Sequence, residues 1–91
     1  MAEGTVEIVN VLGLHARAAA RFVRTATQYR AEVTVTKDGN TTDGKSILGI
    51  LFLAAAVGTT ITISAKGEDE DDALAALMAL VANGLGETVP Q

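Results

Sequence analysis

The apolar residues of this chain change their spacing repeatedly, from every second position to every third or fourth position and back. A spacing of two is typical of a strand with one face in water, whereas a spacing of three and four is typical of an amphipathic helix. Taken in order, the segments predict β-α-β-β-α-β-α. The predicted strands are half polar, so we expect an antiparallel sheet with one solvated face. The predicted fold is therefore α+β, an open-faced β-sandwich in which a four-stranded antiparallel sheet carries three helices on one face.

Four segments are predicted as strands because they are rich in β-branched residues and mostly alternate between apolar and polar side chains. They are residues 5–11, 31–37, 41–43 and 59–65. Between the second and the third, Asp38-Gly39-Asn40 predicts a hairpin turn, since Asp-Gly readily adopts positive φ. The third strand is short and polar, which is typical of a sheet edge.

Three segments are predicted as helices: residues 16–28, residues 47–53 and a last one that begins with the acidic run 68–72. Acidic residues are favourable at a helix N-terminus, so we interpret this run as helix capping and surface charge, and not as a metal site. The last helix is expected to end at Asn83-Gly84. Residues 85–91, and 87–91 in particular, are expected to form a loose tail. The predicted core faces are formed by Ala19, Phe22, Val23 and Ala26 on the first helix, and by Leu74, Leu77, Met78 and Val81 on the last.

The composition limits the class of protein. The chain has 91 residues, which predicts one domain over residues 1–91, and with two Phe, one Tyr and no Trp its core must consist of Val, Ile, Leu and Ala. Because Cys is absent, disulfides and thiolate metal sites are excluded, which fits a reducing compartment. The longest apolar run, 47–57, is shorter than the roughly 20 residues that span a bilayer. We therefore expect a cytoplasmic protein without membrane insertion.

The charges are unevenly distributed. The formal net charge is −4, which argues against nucleic acid as the main partner. Arg17, Arg21 and Arg24 nevertheless lie three and four positions apart, so on a helix they form one basic stripe. This stripe is either a docking surface for acidic partners or a solvated polar face.

His15 is the only histidine, and it directly precedes the first predicted helix. The backbone N–H groups of Ala16, Arg17 and Ala18 have no intrahelical acceptor there, and the helix dipole favours an anion. An imidazole, these donors and the Arg17 guanidinium together suit a phosphoryl group. A histidine that merely begins a helix is the alternative. Metal binding is disfavoured because the chain has no Cys and no second His, and the nucleophile elbow of a serine hydrolase is missing.

The second predicted helix is short and almost entirely apolar. Ser46 is predicted as its N-cap. A two-turn helix lying on one sheet cannot bury its whole circumference, so we expect part of Ile47, Leu48 and Leu51 at the surface, where apolar patches usually meet a partner. The alternative is a helix that is simply deeply buried.

Three segments carry a family resemblance. Gly13-Leu14-His15-Ala16-Arg17 resembles the active-site motif of the histidine-containing phosphocarrier (HPr) family of the bacterial phosphoenolpyruvate:sugar phosphotransferase system. Lys45-Ser46-Ile47-Leu48-Gly49-Ile50-Leu51 resembles the second motif of that family, at the right distance, and residues 67–74 resemble the start of its last helix. The resemblance extends over residues 5–86, with the same order of elements.

The resemblance implies roles for single residues. His15 would accept a phosphoryl group from phosphorylated enzyme I, which draws it from phosphoenolpyruvate, and would pass it to a sugar-specific IIA protein. Arg17 would help to hold the phosphoryl group. Ser46 would be the site of an ATP-dependent HPr serine kinase/phosphorylase, in bacteria that have one. No cofactor or metal is implied, and we expect a monomer. The partner surface would consist of Leu14, Ala20, Arg21, Arg24, Ile47, Leu48 and Leu51.

The chain departs from the family pattern at Ala18, where the family usually has Pro. This change returns a backbone N–H to the first turn as a further phosphate donor and makes the helix start slightly less rigid. Three alternatives stay open. They are a paralogue in a regulatory, nitrogen-type phosphorelay, a regulatory binding module in which His15 is idle, and a self-sufficient enzyme, which has the least support because no second catalytic group is recognisable.

Overall fold

The computed structural model describes residues 1–87 and Val89, and in this part of the chain it contains the predicted order of strands and helices. No helix in the described part is long and apolar enough to cross a membrane. The elements are β1 (Ala2–Glu7), α1 (Ala16–Ala26), β2 (Glu32–Lys37), β3 (Asn40–Asp43), α2 (Ile47–Leu53), β4 (Thr60–Lys66), α3 (Glu70–Ala82) and a single 3₁₀ turn (Gly84–Gly86).

The four strands form one antiparallel sheet in the order β1-β4-β2-β3, and the helices cover one of its faces. Val33 and Val35 of β2 and Ile61 and Ile63 of β4 all point toward the helices and are buried. The opposite face carries polar side chains, such as Ser64, which donates a hydrogen bond to a carboxylate oxygen of β1. The predicted open-faced sandwich is therefore confirmed, and β3 is the predicted edge strand.

The largest error in the predicted boundaries concerns β1, which was expected at residues 5–11. The antiparallel register pairs Ala2 with Ala65 and Glu7 with Thr60, so the strand lies earlier in the chain. Ile8 still donates its N–H to the Thr59 carbonyl, at 2.8 Å, but the chain then leaves the sheet. The reason is that β4 begins at Thr60, and no partner strand extends beyond it. The other elements differ from their predicted bounds by small shifts: α1 ends at 26, β2 begins at 32, β3 begins at 40, and β4 spans 60–66.

The core lies between the sheet and the three helices, as the helical spacing predicted. The predicted face of α1 is buried, with Phe22 at its centre and 0% exposed. On α3, Leu77 and Val81 are buried, while Leu74 and Met78 are partly buried and pack against the same cluster.

The short helix α2 is capped at both ends. Ser46 is its N-cap, as predicted, and its Oγ accepts a hydrogen bond from the Gly49 N–H at 3.1 Å. At the other end, Lys37 Nζ donates to the Leu53 carbonyl at 3.1 Å, an interaction that was not predicted. A β-carbon at Gly49 would lie 1.9 Å from Thr42 Oγ1, so only glycine permits this close approach to β3. Because a helix of this length has little stability of its own, these contacts maintain it.

Asp69 is the N-cap residue of α3, but its side chain bonds to another segment and does not cap the helix as predicted. The Asp69 carboxylate accepts the backbone N–H groups of Arg30 and Ala31, at 2.9 and 2.8 Å, and makes no cap hydrogen bond to its own helix. The bond from the Arg30 N–H is the main reason why the pKa of Asp69 lies below its ordinary value. Asp69 therefore connects the start of α3 to the segment between α1 and β2.

The prediction of a loose tail from residue 85 was wrong for Leu85 and Glu87. Gly84, with φ of +82°, ends α3 as predicted and turns the chain back over the protein. Leu85 is 0% exposed and belongs to the core, and Glu87 makes hydrogen bonds with its side chain. The tail predicted for the remaining positions falls in part on residues 88, 90 and 91, which lie outside the described residues.

Candidate functional site

The loop between β1 and α1 is held in place by backbone hydrogen bonds before it reaches His15. Gly13 donates its N–H to the Asn10 carbonyl at 3.1 Å, and Leu14 donates to the Ala55 carbonyl at 2.9 Å. Gly13 has φ of +65°, and a β-carbon there would lie 2.5 Å from the Ala55 oxygen. The glycine is therefore required both by the turn and by the close approach to the segment after α2.

His15 is the N-cap residue of α1, and both of its ring nitrogens have partners. Nδ1 accepts a hydrogen bond from the Arg17 N–H at 3.3 Å. Nε2 lies 2.7 Å from each of the two carboxylate oxygens of Glu87. The His15 side chain is 29% exposed, so it remains accessible from outside.

The partners of His15 determine which nitrogen carries the proton. The hydrogen bond from His15 holds the pKa of the Glu87 carboxyl below its ordinary value, so Glu87 is a carboxylate at neutral pH. A carboxylate only accepts hydrogen bonds, and a backbone N–H only donates. The proton of a neutral ring is therefore assigned to Nε2, and Nδ1 has an unprotonated lone pair that accepts the Arg17 N–H. The arrangement places a nucleophilic nitrogen at the start of a helix.

Arg17 and the first turn of α1 lie beside this nitrogen. Arg17 is exposed and lines a surface hollow of about 470 Å³ together with Arg21, Glu87, Leu12 and others. The first N–H groups of an α-helix have no acceptor within the helix, which holds here for those of residues 16–18. An anion attached to Nδ1 would therefore meet backbone donors, with Arg17 on the same surface. These groups provide no metal site: in the part of the chain that is described, no group of three or more His, Asp or Glu side chains could hold a metal ion.

Two residues of the predicted partner surface are not freely available. Leu14 is only 4% exposed and belongs to the hydrophobic core, so it offers a partner almost no surface. Arg21 Nη1 donates to the Leu85 carbonyl at 2.8 Å and lies 3.8 Å from Glu87 Oε2, so part of its binding capacity is already used. Arg24 is exposed, and Ala20 is partly exposed.

The apolar residues of α2 divide between core and surface. Ile47 and Leu48 are 44% and 66% exposed, as predicted, whereas Leu51 is half-buried against the core. Phe52 is 83% exposed and was not predicted as a surface residue. Its position four residues after Leu48 was a usable signal, because residues four apart share one face of a helix.

Sequence reasoning missed two residues that complete the surroundings of His15. Glu87 lies far away in the sequence, within the segment predicted to be loose. Asn10 is 0% exposed, and its Nδ2 donates to Glu87 Oε1 at 2.9 Å and to the Gly13 carbonyl at 2.8 Å. The glycines on either side of Leu85 were the only hint of a turn that brings the chain back.

Comparison with known proteins gives a consistent result. Residues 2–83 match the family model described as "PTS HPr component phosphorylation site". The phosphocarrier protein HPr of Neisseria meningitidis is 47% identical over 87 residues, which cover 96% of this chain and 98% of that protein. The crystal structure of HPr-C-His from Thermoanaerobacter tengcongensis superimposes with a TM-score of 0.93 at 43% identity, over 98% of this chain and 100% of the other. Crh of Bacillus subtilis, a catabolite repression protein described as a domain-swapped dimer, is 41% identical with a TM-score of 0.75, over 100% of both chains.

Proposed function

Because the chain belongs to the HPr family of phosphocarrier proteins, we propose that it accepts a phosphoryl group on His15 from phosphorylated enzyme I and passes it to sugar-specific IIA proteins. The observation that carries this proposal is the environment of the ring. Nδ1 accepts the Arg17 N–H at the start of α1, and Nε2 lies against the Glu87 carboxylate, which assigns the proton to Nε2. The ring is accessible from outside, which is necessary because the proposed carrier must contact two different partners.

The chemistry requires no cofactor in this chain. The Nδ1 lone pair attacks phosphorus, the bond from phosphorus to the donor's histidine breaks, and the electron pair of that bond returns to the donor ring. The same step in reverse delivers the group to the IIA protein. The partners supply the remaining stabilisation of the charge that develops in the transition state.

The first turn of α1 and Arg17 stabilise the attached phosphoryl group. The Arg17 N–H that now contacts Nδ1 at 3.3 Å lies where a phosphoryl oxygen would accept it. Ala18 has a backbone N–H where the family usually has Pro, but the residue is 0% exposed, so this N–H lies on the inner side of the first turn. Ala16 and Arg17 are exposed to water, so the stabilisation that they provide is moderate, as suits a group that must leave again.

Arg17→Ala is expected to slow phosphoryl transfer about tenfold or more while leaving the fold intact, because a guanidinium–phosphate contact is a strong charge-assisted bond. Arg17 is exposed, and surface changes usually alter the free energy of unfolding by less than about 0.5 kcal/mol. Transfer rates and melting temperatures of both proteins test this. Arg30→Ala is the matched control, since the Arg30 side chain is 87% exposed and lies beyond the other end of α1. Equal transfer by the Arg17 and Arg30 variants would contradict the assignment.

The exposed part of α2 and the arginines of α1 form the proposed docking surface. Leu48 and Phe52 expose large apolar areas that nothing in the described part of the chain covers. Arg17 and Arg24 add positive charge to a chain whose net charge is −4. A partner with an apolar patch bordered by acidic groups fits this combination, since complementary charge accelerates association.

Ser46 is the proposed regulatory phosphorylation site. Its hydroxyl caps α2 and directly precedes Ile47 of the docking surface. A phosphate would add about −1.5 to −2 charges beside that surface, where it would repel acidic partners and raise the cost of desolvation.

We expect Ser46→Asp to reduce the rate of His15 phosphorylation by enzyme I chiefly through weaker binding, with little structural change. Ser46→Ala is the control, because it removes the cap, at a cost of about 1 kcal/mol, without adding charge. Saturation kinetics at low and moderate salt separate the two effects. If the Asp variant has the same apparent affinity as the parent and the Ala variant, the electrostatic mechanism is wrong.

All groups around His15 come from one chain: Arg17 from α1, Asn10 from the preceding loop and Glu87 from the C-terminal segment. We therefore propose a monomer as the working carrier. Domain swapping, as described for Crh, exchanges identical elements between two copies. A swapped dimer could therefore contain the same surroundings of His15, and carrier function is compatible with such a dimer.

The function is tested by incubation with phosphoenolpyruvate and enzyme I, followed by measurement of the intact mass. A gain of one phosphoryl group supports the carrier, and no gain supports a regulatory binding module in which His15 is idle. The phosphorylated protein is then offered to a sugar-type and to a nitrogen-type IIA protein. Faster transfer to the nitrogen-type protein would indicate that the chain functions in a regulatory phosphorelay and not in sugar uptake.

A further inference from the structure

The carboxylate of Glu87 is in direct contact with the His15 ring. Both of its oxygens lie 2.7 Å from Nε2, and its side chain is 12% exposed, compared with 29% for His15. The contact thus lies on the inner side of the ring, while Nδ1 lies next to the Arg17 N–H. Glu87 is therefore placed to act on the ring without obstructing the nitrogen that reacts.

Several contacts fix the position of Glu87. Asn10, which is fully buried, donates its Nδ2 to Glu87 Oε1 at 2.9 Å. Arg21 Nη1 lies 3.8 Å from Oε2 and donates to the carbonyl of Leu85, which is itself buried in the core. The C-terminal segment is thus attached on both sides of Gly86. A carboxylate held by this many groups can orient its partner, because its own freedom is already lost.

We propose that Glu87 is a positioning residue for phosphoryl transfer: it holds the proton on Nε2 of His15 throughout both half-reactions, so that Nδ1 is the nucleophile on arrival and a neutral imidazole is the leaving group on departure. This proposal rests on the proposed carrier function. It assigns to Glu87 a role that Arg17 and the helix N-terminus do not have, since those groups act on the phosphoryl oxygens.

The proposed step balances without a proton transfer. When the Nδ1–P bond forms and the donor's N–P bond breaks, the phosphorylated ring keeps its Nε2 proton and gains a positive charge. This charge faces the Glu87 carboxylate. When the Nδ1–P bond breaks in the second half-reaction, the electron pair returns to Nδ1, and the ring leaves as neutral imidazole. A phosphorylated ring without the Nε2 proton would be a much poorer leaving group.

Within the described residues, two cationic groups line the same hollow as Glu87, and both remain in every variant. They are Arg17 and Arg21 of α1, and Arg21 approaches Glu87 itself. Glu87 is therefore the only one of these groups that opposes the positive charge of the phosphorylated ring, and its removal should have a distinct effect.

Glu87→Gln tests the proposal, since it keeps the size of the side chain but removes the charge and can donate as well as accept. The ring nitrogens of the unphosphorylated protein are observed by ¹⁵N NMR. We expect the parent to carry its proton mainly on Nε2 and the variant to show a larger population with the proton on Nδ1. In serine proteases, replacing a buried aspartate in a similar role by its amide costs about 10⁴-fold. Because His15 is more open to water, we expect a loss of about tenfold in kcat, with an unchanged KM for enzyme I.

Hydrolysis of the phosphorylated protein gives a readout that a merely structural role would not change. We expect the pH at which hydrolysis slows to move down in the variant, because the carboxylate no longer retains the ring proton. Glu68→Gln is the control, since Glu68 is 82% exposed and interacts only weakly with Arg30, at 3.7 Å. It removes the same charge far from the ring and should match the parent.

The outcomes separate this proposal from the carrier function. Unchanged ring tautomers and an unchanged hydrolysis profile in Glu87→Gln would overturn the role of Glu87 while the carrier function stood. If the parent accepted no phosphoryl group, the carrier function would fail, whereas the NMR measurement would still decide the tautomer. If the variant did not fold, the NMR spectrum of the parent alone would still test the proposal. A parent ring with its proton mainly on Nδ1 would contradict it.

Discussion

Replacing His15 by alanine is expected to abolish phosphorylation by enzyme I completely. His15 is the only histidine in the chain, and its Nδ1 lies at the start of α1, where it accepts the Arg17 N–H. The measurement is the intact mass after incubation with phosphoenolpyruvate and enzyme I, where the parent should gain one phosphoryl group that is labile in acid and stable in alkali.

His15→Asn is the matched control for the helix. His15 is the N-cap of α1, so its replacement by alanine also removes a cap, which typically costs about 1 kcal/mol. Asparagine is a good N-cap but cannot carry the phosphoryl group, so this variant should be as inactive as His15→Ala and more stable. An alanine variant that still takes up an acid-labile phosphoryl group would show that the acceptor is a different residue.

The largest loss of stability is expected from Phe22→Ala, and the chain contains its own control. Phe22 is 0% exposed at the centre of the core, whereas Phe52, the other phenylalanine, is 83% exposed on α2. Truncating a buried Phe usually costs about 3–5 kcal/mol, a large part of the total for a domain of this size. Phe52→Ala should change the free energy of unfolding by less than about 0.5 kcal/mol.

Urea denaturation of both variants, followed by circular dichroism, measures this difference. We expect a much lower midpoint for Phe22→Ala, or a protein that is already largely unfolded in water, and a midpoint close to that of the parent for Phe52→Ala. In the same proteins, weaker binding of enzyme I by Phe52→Ala would support the docking surface. Two midpoints that fall by similar amounts would mean that Phe52 is buried and that the division of α2 into core and surface is wrong.

Local patterns in the sequence determined the class and order of the fold. The alternation in β2 and β4 indicated strands with one buried face, and the spacing of the apolar residues in α1 indicated a face that includes Phe22. Ser46 was recognisable as an N-cap and Asp38-Gly39 as a turn, because each depends on hydrogen bonds or dihedral angles within a few residues. His15 was recognisable because its neighbours in the chain are also its neighbours at the helix start.

Only the tertiary structure decided what lies on the other side of the His15 ring. Glu87 reaches Nε2 from a distant part of the chain and is held there by Asn10, and the burial of Leu85 that brings Glu87 there depends on the completed core. The bounds of β1 depended in the same way on the register with β4, which lies far away in the sequence. Spacing along the chain carries information about contacts within one turn or one hairpin. Contacts between distant segments form only when the helices have packed on the sheet, so the proposed phosphoryl acceptor could be predicted from the sequence and the carboxylate beside it could not.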